Sequence, residues 1–157
     1  MNFSIERADV KDAPEILALQ KLAYQSEAEI YGDYTIAPLI QTLAEMQADF
    51  ARQVVLKAVA DGGTERRIVG SVRAYQEGDT CHIGRLIVHP EWQNQGIGTQ
   101  LMDEIEHAFA QAGRFELFTG YRSEKNLHLY HKLGYRALQE QKVNEQLTLV
   151  FLTKPAT

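Results

Sequence analysis

Residues 86–99 carry the sequence LIVHPEWQNQGIGT, and this stretch decides the fold. The apolar run at residues 86–88 predicts a buried strand, and Gly96 and Gly98 connect that strand to a following helix. Glycines let a ligand approach the backbone closely, and the first N–H groups of a helix carry partial positive charge. The stretch therefore predicts an anion site that a diphosphate would fit.

Two well-known phosphate-binding motifs do not match this loop. The dinucleotide fingerprint needs a third glycine where Leu101 stands, and the ATP-type loop needs a Gly-Lys-Ser/Thr run that the sequence lacks. A bare Gly-x-Gly is more often a turn in which glycine serves shape alone. The loop therefore needs support from the rest of the chain.

The pattern on either side of the loop predicts an α/β fold with a mixed sheet, in the order β-α-α-β-β-β-α-β-α-β-β. Asp61, Gly62 and Gly63 predict a turn between the second and third strands. No linker or repeat divides the chain, so we expect a single domain over residues 1–157. The predicted strands are residues 2–7, 54–60, 68–75, 81–89, 115–119, 135–143 and 147–153, and the predicted helices are residues 12–23, 38–50, 99–112 and 124–133.

Composition excludes several classes of protein. Hydrophobic residues make up 45% and charged residues 24% of the 157, as in ordinary globular proteins. The net charge of -5 argues against nucleic-acid binding, which needs a positive field. No run approaches the roughly 20 apolar residues of a membrane span, and no signal pattern opens the chain. With Cys81 as the only cysteine, we expect a cytoplasmic protein without disulfides, without membrane association and without a metal.

Two motifs together resemble a known family. Within residues 86–98, Leu-x-Val-His-Pro followed by Gln-x-x-Gly-x-Gly closely resembles the acetyl-CoA signature of the GNAT superfamily of N-acetyltransferases. Residues 129–135, Leu-Tyr-His-Lys-Leu-Gly-Tyr, resemble the downstream Leu-Tyr-x-Lys-Leu-Gly-Phe element of that family. The resemblance implies the GNAT fold, acetyl-CoA as cosubstrate, and direct transfer of the acetyl group to an amine on a small molecule or peptide.

The resemblance also implies the cofactor contacts. Backbone groups would pair with the pantetheine arm at Leu86, Ile87 and Val88. Backbone amides would hold the pyrophosphate at Asn94, Gln95, Gly96, Ile97, Gly98 and Thr99. This loop lacks the basic residue found in many members, so binding there relies on amides and the helix dipole. The family position that often holds an asparagine is Ser123 here, which is equally explained as a helix N-cap, and Asn126 is a second candidate.

Tyr130 and His82 are the candidate catalytic residues. Tyr130 matches the family tyrosine that hydrogen-bonds or protonates the CoA sulfur, and a phenol stays a donor at neutral pH. His82 has a suitable basicity, and strict alternation would place it on one face with Gly84, Leu86 and Val88. A partly buried structural histidine is the alternative for His82, and a core aromatic is the alternative for Tyr130.

Other chemistry-bearing residues receive plainer interpretations. Cys81 and His82 point to opposite faces of a strand, so a Cys-His nucleophile is not expected and Cys81 is interpreted as core. His128 and His131 have a helical spacing that suits a metal, but no third ligand is evident, so we predict no metal site.

An acidic stretch precedes the predicted central strands. Residues 22–51 contain five acidic residues and no lysine or arginine. They form either the solvated face of two helices or, through Glu27, Glu29 and Asp33, a substrate cleft that attracts a cationic amine. Glu27 and Glu29 are also alternative general bases.

Two alternative functions and one expectation about assembly complete the predictions. The main rival to an enzyme is an acyl-CoA-binding sensor or partner-binding module without efficient turnover. A transferase for longer acyl chains is another, since pocket volume sets that choice. We expect a homodimer, because dimers are common in the family that the chain resembles.

Overall fold

A computed structural model describes residues 2–61 and 65–156. Gly62 and Gly63 of the predicted turn lie outside these residues. The strands are β1 (Phe3–Arg7), β2 (Val54–Asp61), β3 (Arg66–Glu77), β4 (Thr80–Val88), β5 (Arg114–Gly120), β6 (Arg136–Lys142) and β7 (Thr148–Pro155). The helices are α1 (Ala13–Ala23), α2 (Gln25–Tyr31), α3 (Ala37–Ile40), α4 (Leu43–Arg52), α5 (Ile97–Ala108) and α6 (Glu124–Lys132).

All seven strands form one mixed sheet in the order β1-β2-β3-β4-β5-β7-β6. Neighbouring strands are antiparallel except for β4 and β5, which run parallel. A parallel neighbour requires a crossover connection, and α5 supplies it. The predicted α/β class with a mixed sheet is confirmed.

Two apolar clusters cover the two faces of the sheet. The first core packs α5 residues such as Leu101 and Ile105 against β2, β3, β4 and β5, and it includes Val72 and Ile83. The second core packs α1 and α4 against Val55, Ile68 and Ile87. Helix α5 therefore covers one side of the sheet, and the N-terminal helices cover the other side at β2, β3 and β4.

The region before β2 holds four short helices, where the sequence pattern predicts two. The predicted second helix is broken between α3 and α4 because Thr42 starts a new helix with a capping box. The Thr42 side chain accepts from the Glu45 N–H at 3.1 Å, and Glu45 Oε1 accepts from the Thr42 N–H at 2.8 Å. No helix among the described residues has the length and apolar character needed to cross a membrane.

A β-bulge interrupts β4 at residues 85–86. Two residues of β4 separate Gly84 from Ile87, whereas their partners on β3 are separated by Val72 alone. Arg85 adopts a positive φ of 52°, which few non-glycine residues do. One extra residue in a strand inverts the alternation of side chains beyond it.

The bulge corrects the predicted orientation of His82. Before the bulge, Ile83 belongs to the first core, so its neighbour His82 points to the opposite face. After the bulge, Leu86 and Val88 pack against that same first core. The prediction that His82 and Gly84 share a face with Leu86 and Val88 is therefore wrong.

Gly70 allows α5 to sit close to β3. A Cβ at Gly70 would lie 2.9 Å from Ile97 Cγ2, 3.1 Å from the Ile87 carbonyl oxygen and 3.1 Å from Leu101 Cδ1. Real Cβ atoms essentially never come within 2.9 Å of another heavy atom, and contacts of 3.1 Å are unusually tight, so a side chain here would push the start of α5 away from the sheet.

We predict that Gly70→Ala lowers the free energy of unfolding by about 1–3 kcal/mol, because overpacking displaces α5. Chemical denaturation of the purified variant measures this. Gly84→Ala is the matched control, since a Cβ there meets nothing within 4 Å. Equal losses in the two variants would contradict the close approach of α5.

Candidate active site

A gap between β4 and β5 is the central feature of the site. The two strands pair only from Thr80 to His82 on β4 and from Arg114 to Glu116 on β5. Beyond His82, β5 continues beside β7, and among the described residues β4 has no strand partner on its β5 side. Because successive residues of a strand direct their backbone groups to opposite sides, alternate residues within 83–88 present N–H and C=O groups to the gap while the others face β3. An extended ligand could pair with the groups at the gap.

The start of α5 lies just beyond the end of β4. Gly96 is its N-cap with a φ of 83°, and no side chain caps the helix. The first-turn N–H groups are therefore available to an anion. A Cβ at Gly98 would lie only at ordinary contact distances from Leu129, Val88 and Leu86, so packing alone does not require a glycine there.

The predicted pyrophosphate loop is accessible. Asn94, Gln95, Gly96 and Thr99 are exposed, whereas Ile97 anchors the helix in the first core. Lys125 of α6 donates to Gln93 Oε1 at 3.4 Å, so a basic group lies beside a loop that has none of its own. Together these features fit the pyrophosphate of a CoA thioester.

Tyr130 lies in the first core, with 7% of its surface exposed. Its ring packs edge-on against Tyr135 with the centroids 6.0 Å apart. Burial raises the pKa of Tyr130, and nearby Tyr24 and Glu27 add to the rise. The hydroxyl therefore remains a proton donor throughout the neutral pH range.

Five residues join α2 to the start of α6, and we call them the α2–α6 clamp: Glu27, Tyr31, Arg122, Ser123 and Asn126. The Arg122 N–H donates to the Tyr31 hydroxyl at 2.9 Å, which lies 2.8 Å from Ser123 Oγ. Ser123 Oγ donates to Glu27 Oε2 at 2.7 Å, and Asn126 Nδ2 donates to Glu27 Oε1 at 2.7 Å. The carboxylate of Glu27 thus accepts from both ends of the first turn of α6.

The α2–α6 clamp changes the interpretation of Ser123 and Asn126, the two candidates for the family asparagine. Ser123 stands at the predicted N-cap position, yet its side chain makes no capping hydrogen bond and is buried against α2. Asn126 Nδ2 also donates to Thr119 Oγ1 at 3.1 Å, which leaves Oδ1 as the atom outside these bonds. A cofactor contact by either residue stays a prediction.

The other predicted site residues have contacts of their own. His82 stacks on Tyr75 with the ring centroids 5.0 Å apart. Asp33 accepts from the Thr35 N–H at 2.8 Å and from its hydroxyl at 2.6 Å, and these bonds lower its pKa. Glu29 is exposed. Of the three acidic candidates, Glu27 alone affects the pKa of Tyr130.

Two arginines that the sequence analysis did not select lie on the side of the N-terminal helices. Arg73 Nη2 contacts Asp49 Oδ2 at 3.0 Å, and its side chain is 8% exposed. Burial, followed by the charge of Arg85, lowers the pKa of Arg73 to about 10. Burial raises the pKa of Tyr24, and the charge of Arg85 opposes that rise.

A sequence signal for Arg85 was present, because it directly precedes the motif strand. Lys125 had one too, as a basic residue in the first turn of the last helix. Neither position belongs to the family motifs, and only the fold brings Arg85 beside Arg73 and Tyr24.

Cys81 is a core residue, as the sequence predicts. Cys81 is completely buried in the first core, and burial raises the pKa of its thiol to about 12. His128 and His131 are both exposed. Over residues 2–61 and 65–156, no group of three or more His, Cys, Asp or Glu side chains is placed to hold a metal ion.

The split sheet and uncapped α5 define the acyl-CoA N-acyltransferase fold. The N-acetyltransferase PaiA of Thermoplasma acidophilum, solved in complex with coenzyme A, has the same architecture with a TM-score of 0.79. It is 15% identical to this chain, and the match covers 99% of both chains. At that identity the likeness concerns the fold alone.

Sequence comparisons then give the family. Residues 52–137 match the model of the acetyltransferase (GNAT) domain. Glucosamine 6-phosphate N-acetyltransferase of Trypanosoma brucei brucei is 30% identical over 138 residues, which cover 81% of this chain and 92% of that enzyme. The chain belongs to the GNAT acetyltransferase family.

The chain spans only part of another relative. Protein YqkA of Bacillus subtilis (strain 168) is 26% identical over 145 residues, which cover 92% of this chain and 40% of YqkA. Membership of the family confirms the resemblance seen in the two motifs, and it leaves the acceptor open.

We predict that Cys81 in the folded protein reacts with a thiol reagent at least about 100-fold more slowly than in the denatured chain, because the thiol is buried and un-ionised. Burial keeps its pKa at about 12, so raising the pH from 7 to 9 leaves the native rate low. Absorbance with DTNB measures both rates. Comparable rates in the two states would contradict a core role.

Proposed function

We propose that this protein is an acetyl-CoA-dependent N-acetyltransferase that moves the acetyl group directly to an amine. The observation that carries the proposal is the unpaired edge of β4 beyond His82, which leads to the uncapped start of α5, with Tyr130 in the same core as Leu86 and Val88 of that edge. Few other functions need an exposed strand edge, a helix N-terminus and a protonated phenol in one place.

Different residues along the gap would bind different parts of the cosubstrate. Backbone groups of Leu86, Ile87 and Val88 would pair with the amides of the pantetheine arm, as an added strand does. Amides of residues 94–99 would hold the pyrophosphate, helped by the dipole of α5 and by Lys125.

The transfer forms a C–N bond and breaks the C–S bond of the thioester. The Val88 N–H would polarise the thioester carbonyl as negative charge develops on its oxygen. Tyr130 would give its hydroxyl proton to the departing sulfur and regain one from water. The amine loses its proton to a base, for which His82, Glu27 and Glu29 remain candidates.

Glu27 has the strongest structural support among these bases, because its charge affects Tyr130. Its two carboxylate oxygens are already engaged by Ser123 and Asn126, so a base role would require it to release one bond. His82 is free of that restriction, although its ring stacks on Tyr75.

The acyl-CoA sensor and the acetyltransferase would bind CoA at the same site, and they differ in whether the acetyl group is transferred efficiently to an acceptor. A broad panel of amines that includes glucosamine 6-phosphate, the acceptor in the name of the trypanosomal relative, separates the two. Release of free thiol that depends on the acceptor supports the enzyme. Tight CoA binding without such release supports the sensor. Competition by bulkier thioesters tests the longer-chain transferase.

Several predictions from the sequence stay predictions. They are the single-domain organisation, the cytoplasmic location, the absence of nucleic-acid and membrane partners, and the homodimer. The side of the sheet opposite the first core is open at β5 to β7, where Phe118 is 50% and Leu138 is 56% exposed. Light scattering coupled to gel filtration tests the dimer.

We predict that Tyr130→Phe lowers kcat by about 100-fold or more while acetyl-CoA affinity changes less than about threefold, because only proton donation is lost. Since burial raises the pKa of Tyr130, wild-type kcat shows no fall from loss of this proton up to about pH 10. Thiol-release assays quenched at timed intervals give kcat, and calorimetry gives the affinity for acetyl-CoA. Tyr34→Phe, at an exposed ring, is the control. Wild-type turnover in a folded Tyr130→Phe would remove the acid role.

We predict that Gly96→Asp weakens acetyl-CoA binding at least about tenfold, because a carboxylate and a strained backbone replace the left-handed glycine at the helix start. Isothermal calorimetry measures the change. Gly78→Asp is the matched control, since Gly78 also has positive φ and open space around it but lies in the β3–β4 turn. Unchanged affinity in folded Gly96→Asp would remove the phosphate-loop role.

A further inference from the structure

Two arginines from neighbouring strands lie close together, and among residues 2–61 and 65–156 their one salt-bridged carboxylate is Asp49. Arg73 on β3 pairs with Gly84 on β4, and Arg85 follows Gly84 at the bulge. The charge of Arg85 is close enough to act on Arg73. Two like charges in a partly buried place destabilise each other unless an anion lies between them.

Arg73 has its anion already. Its guanidinium contacts Asp49 at 3.0 Å and Gln41 Oε1 at 3.4 Å. Asp49 is further engaged by Gln41 Nε2 at 2.7 Å and by Arg52 at 3.2 Å. That carboxylate is therefore fully used on the side of α4.

Arg85 has no such partner among residues 2–61 and 65–156. Its Nε is shielded from solvent and has no hydrogen-bond partner, and the guanidinium takes part in no salt bridge there. Its backbone also holds a positive φ of 52°. The neutral Tyr24 hydroxyl is close enough to hydrogen-bond to the guanidinium, but it supplies no charge. A buried Nε without a partner, on a guanidinium without a counter-ion and at a strained backbone position, is unfavourable by itself and is a feature of ligand sites.

The surrounding groups do not supply the missing charge. The Tyr24 hydroxyl lies next to Arg85, and burial raises its pKa, so it stays neutral. Glu27, the acidic residue that also affects Tyr24, has both oxygens engaged by the α2–α6 clamp. Arg85 therefore has no counter-ion among the described residues, so an anionic acceptor, rather than the cationic acceptor that the acidic stretch suggested, would supply one.

The position of Arg85 identifies which ligand would supply the anion. Arg85 directly precedes Leu86, the first residue proposed to pair with the cosubstrate, and it points to Tyr24 on the side of α1 and α2. Tyr24 in turn affects the pKa of Tyr130. An anion at Arg85 therefore lies beside the transfer position and away from the pyrophosphate loop at the start of α5.

We propose that the acceptor amine carries an anionic group, a carboxylate or a phosphate, which the Arg85 guanidinium binds while Arg73 adds its charge from behind. The planar fork of an arginine matches both groups through two parallel hydrogen bonds. This inference rests on the proposed acetyltransferase function for the position of the acceptor.

Matched acceptor pairs test the proposal and separate the two anions. Glucosamine 6-phosphate against glucosamine is the phosphate pair, and β-alanine against its amide is the carboxylate pair, each assayed by acceptor-dependent thiol release. In the wild type we expect kcat/KM to favour the anionic member of one pair at least about tenfold. Arg85→Gln removes that preference through KM, about 10- to 100-fold, and changes the neutral member less than about threefold. Arg136→Gln, at an exposed arginine of β6, keeps the wild-type preference.

A second measurement does not require turnover. Protein saturated with CoA, so that the pyrophosphate loop is filled, is heated with inorganic phosphate or acetate against potassium chloride of equal ionic strength. We expect one anion to raise the Tm of the wild type and of Arg85→Lys, with a smaller shift for the lysine, and to leave Arg85→Gln unchanged. Without added anion, Arg85→Gln melts no lower than the wild type, because it relieves repulsion with Arg73.

The outcomes distinguish this inference from the proposed function. Acetyl transfer with equal kcat/KM for charged and neutral amines in both pairs would overturn the anionic acceptor and leave the transferase standing. Anion-dependent stabilisation through Arg85 without transfer to any amine would keep the anion site and overturn the transferase. A large fall in the Tm of Arg85→Gln, with the acceptor preference intact, would assign Arg85 to structure alone and overturn the proposal.

Discussion

The parting of β4 from β5 is the constraint on which the rest of the structure depends. A sheet gains its stability from paired backbone groups, and here two parallel strands pair over Thr80 to His82 and then separate. The loss is confined because β5 continues on β7 and because α5 and the N-terminal helices hold β4 from both faces. The unpaired edge thus survives inside an otherwise closed fold, and a ligand that forms hydrogen bonds like a strand can complete it.

The bulge at Arg85 serves the same arrangement. It lets Leu86 and Val88 pack toward α5 although Ile83 already does so, and it directs the Arg85 side chain to Tyr24. The bulge therefore separates two proposed roles along a single strand: Arg85 within it would bind the acceptor on the side of α1 and α2, and the backbone edge from Leu86 onward would pair with the cosubstrate.

Local patterns in the sequence predicted much of this structure. The strands from β2 onward, the glycine loop and the position of Tyr130 all leave short-range signals: apolar runs, turn residues and two motifs in order. Three features of the structure left weaker signals in the sequence. The Thr42–Glu45 capping box was readable but stood inside an apolar pattern that favoured a longer helix. The bulge depends on how β3 pairs with β4, and the Arg73–Asp49 contact joins residues 24 positions apart, so neither follows from local periodicity.

The α2–α6 clamp has a consequence for how such a protein diverges. Gly120 makes room for Tyr31, whose hydroxyl would clash with a Cβ at that position, and Glu27 accepts from Ser123 and Asn126. Helix α2, on the side proposed for the acceptor, is therefore fastened to α6, the helix that carries Tyr130. If α2 were exchanged between homologues, its contacts with α6 would be kept only when the turn between β5 and α6 was exchanged with it. We therefore expect these two segments, which are distant in sequence, to change together during evolution.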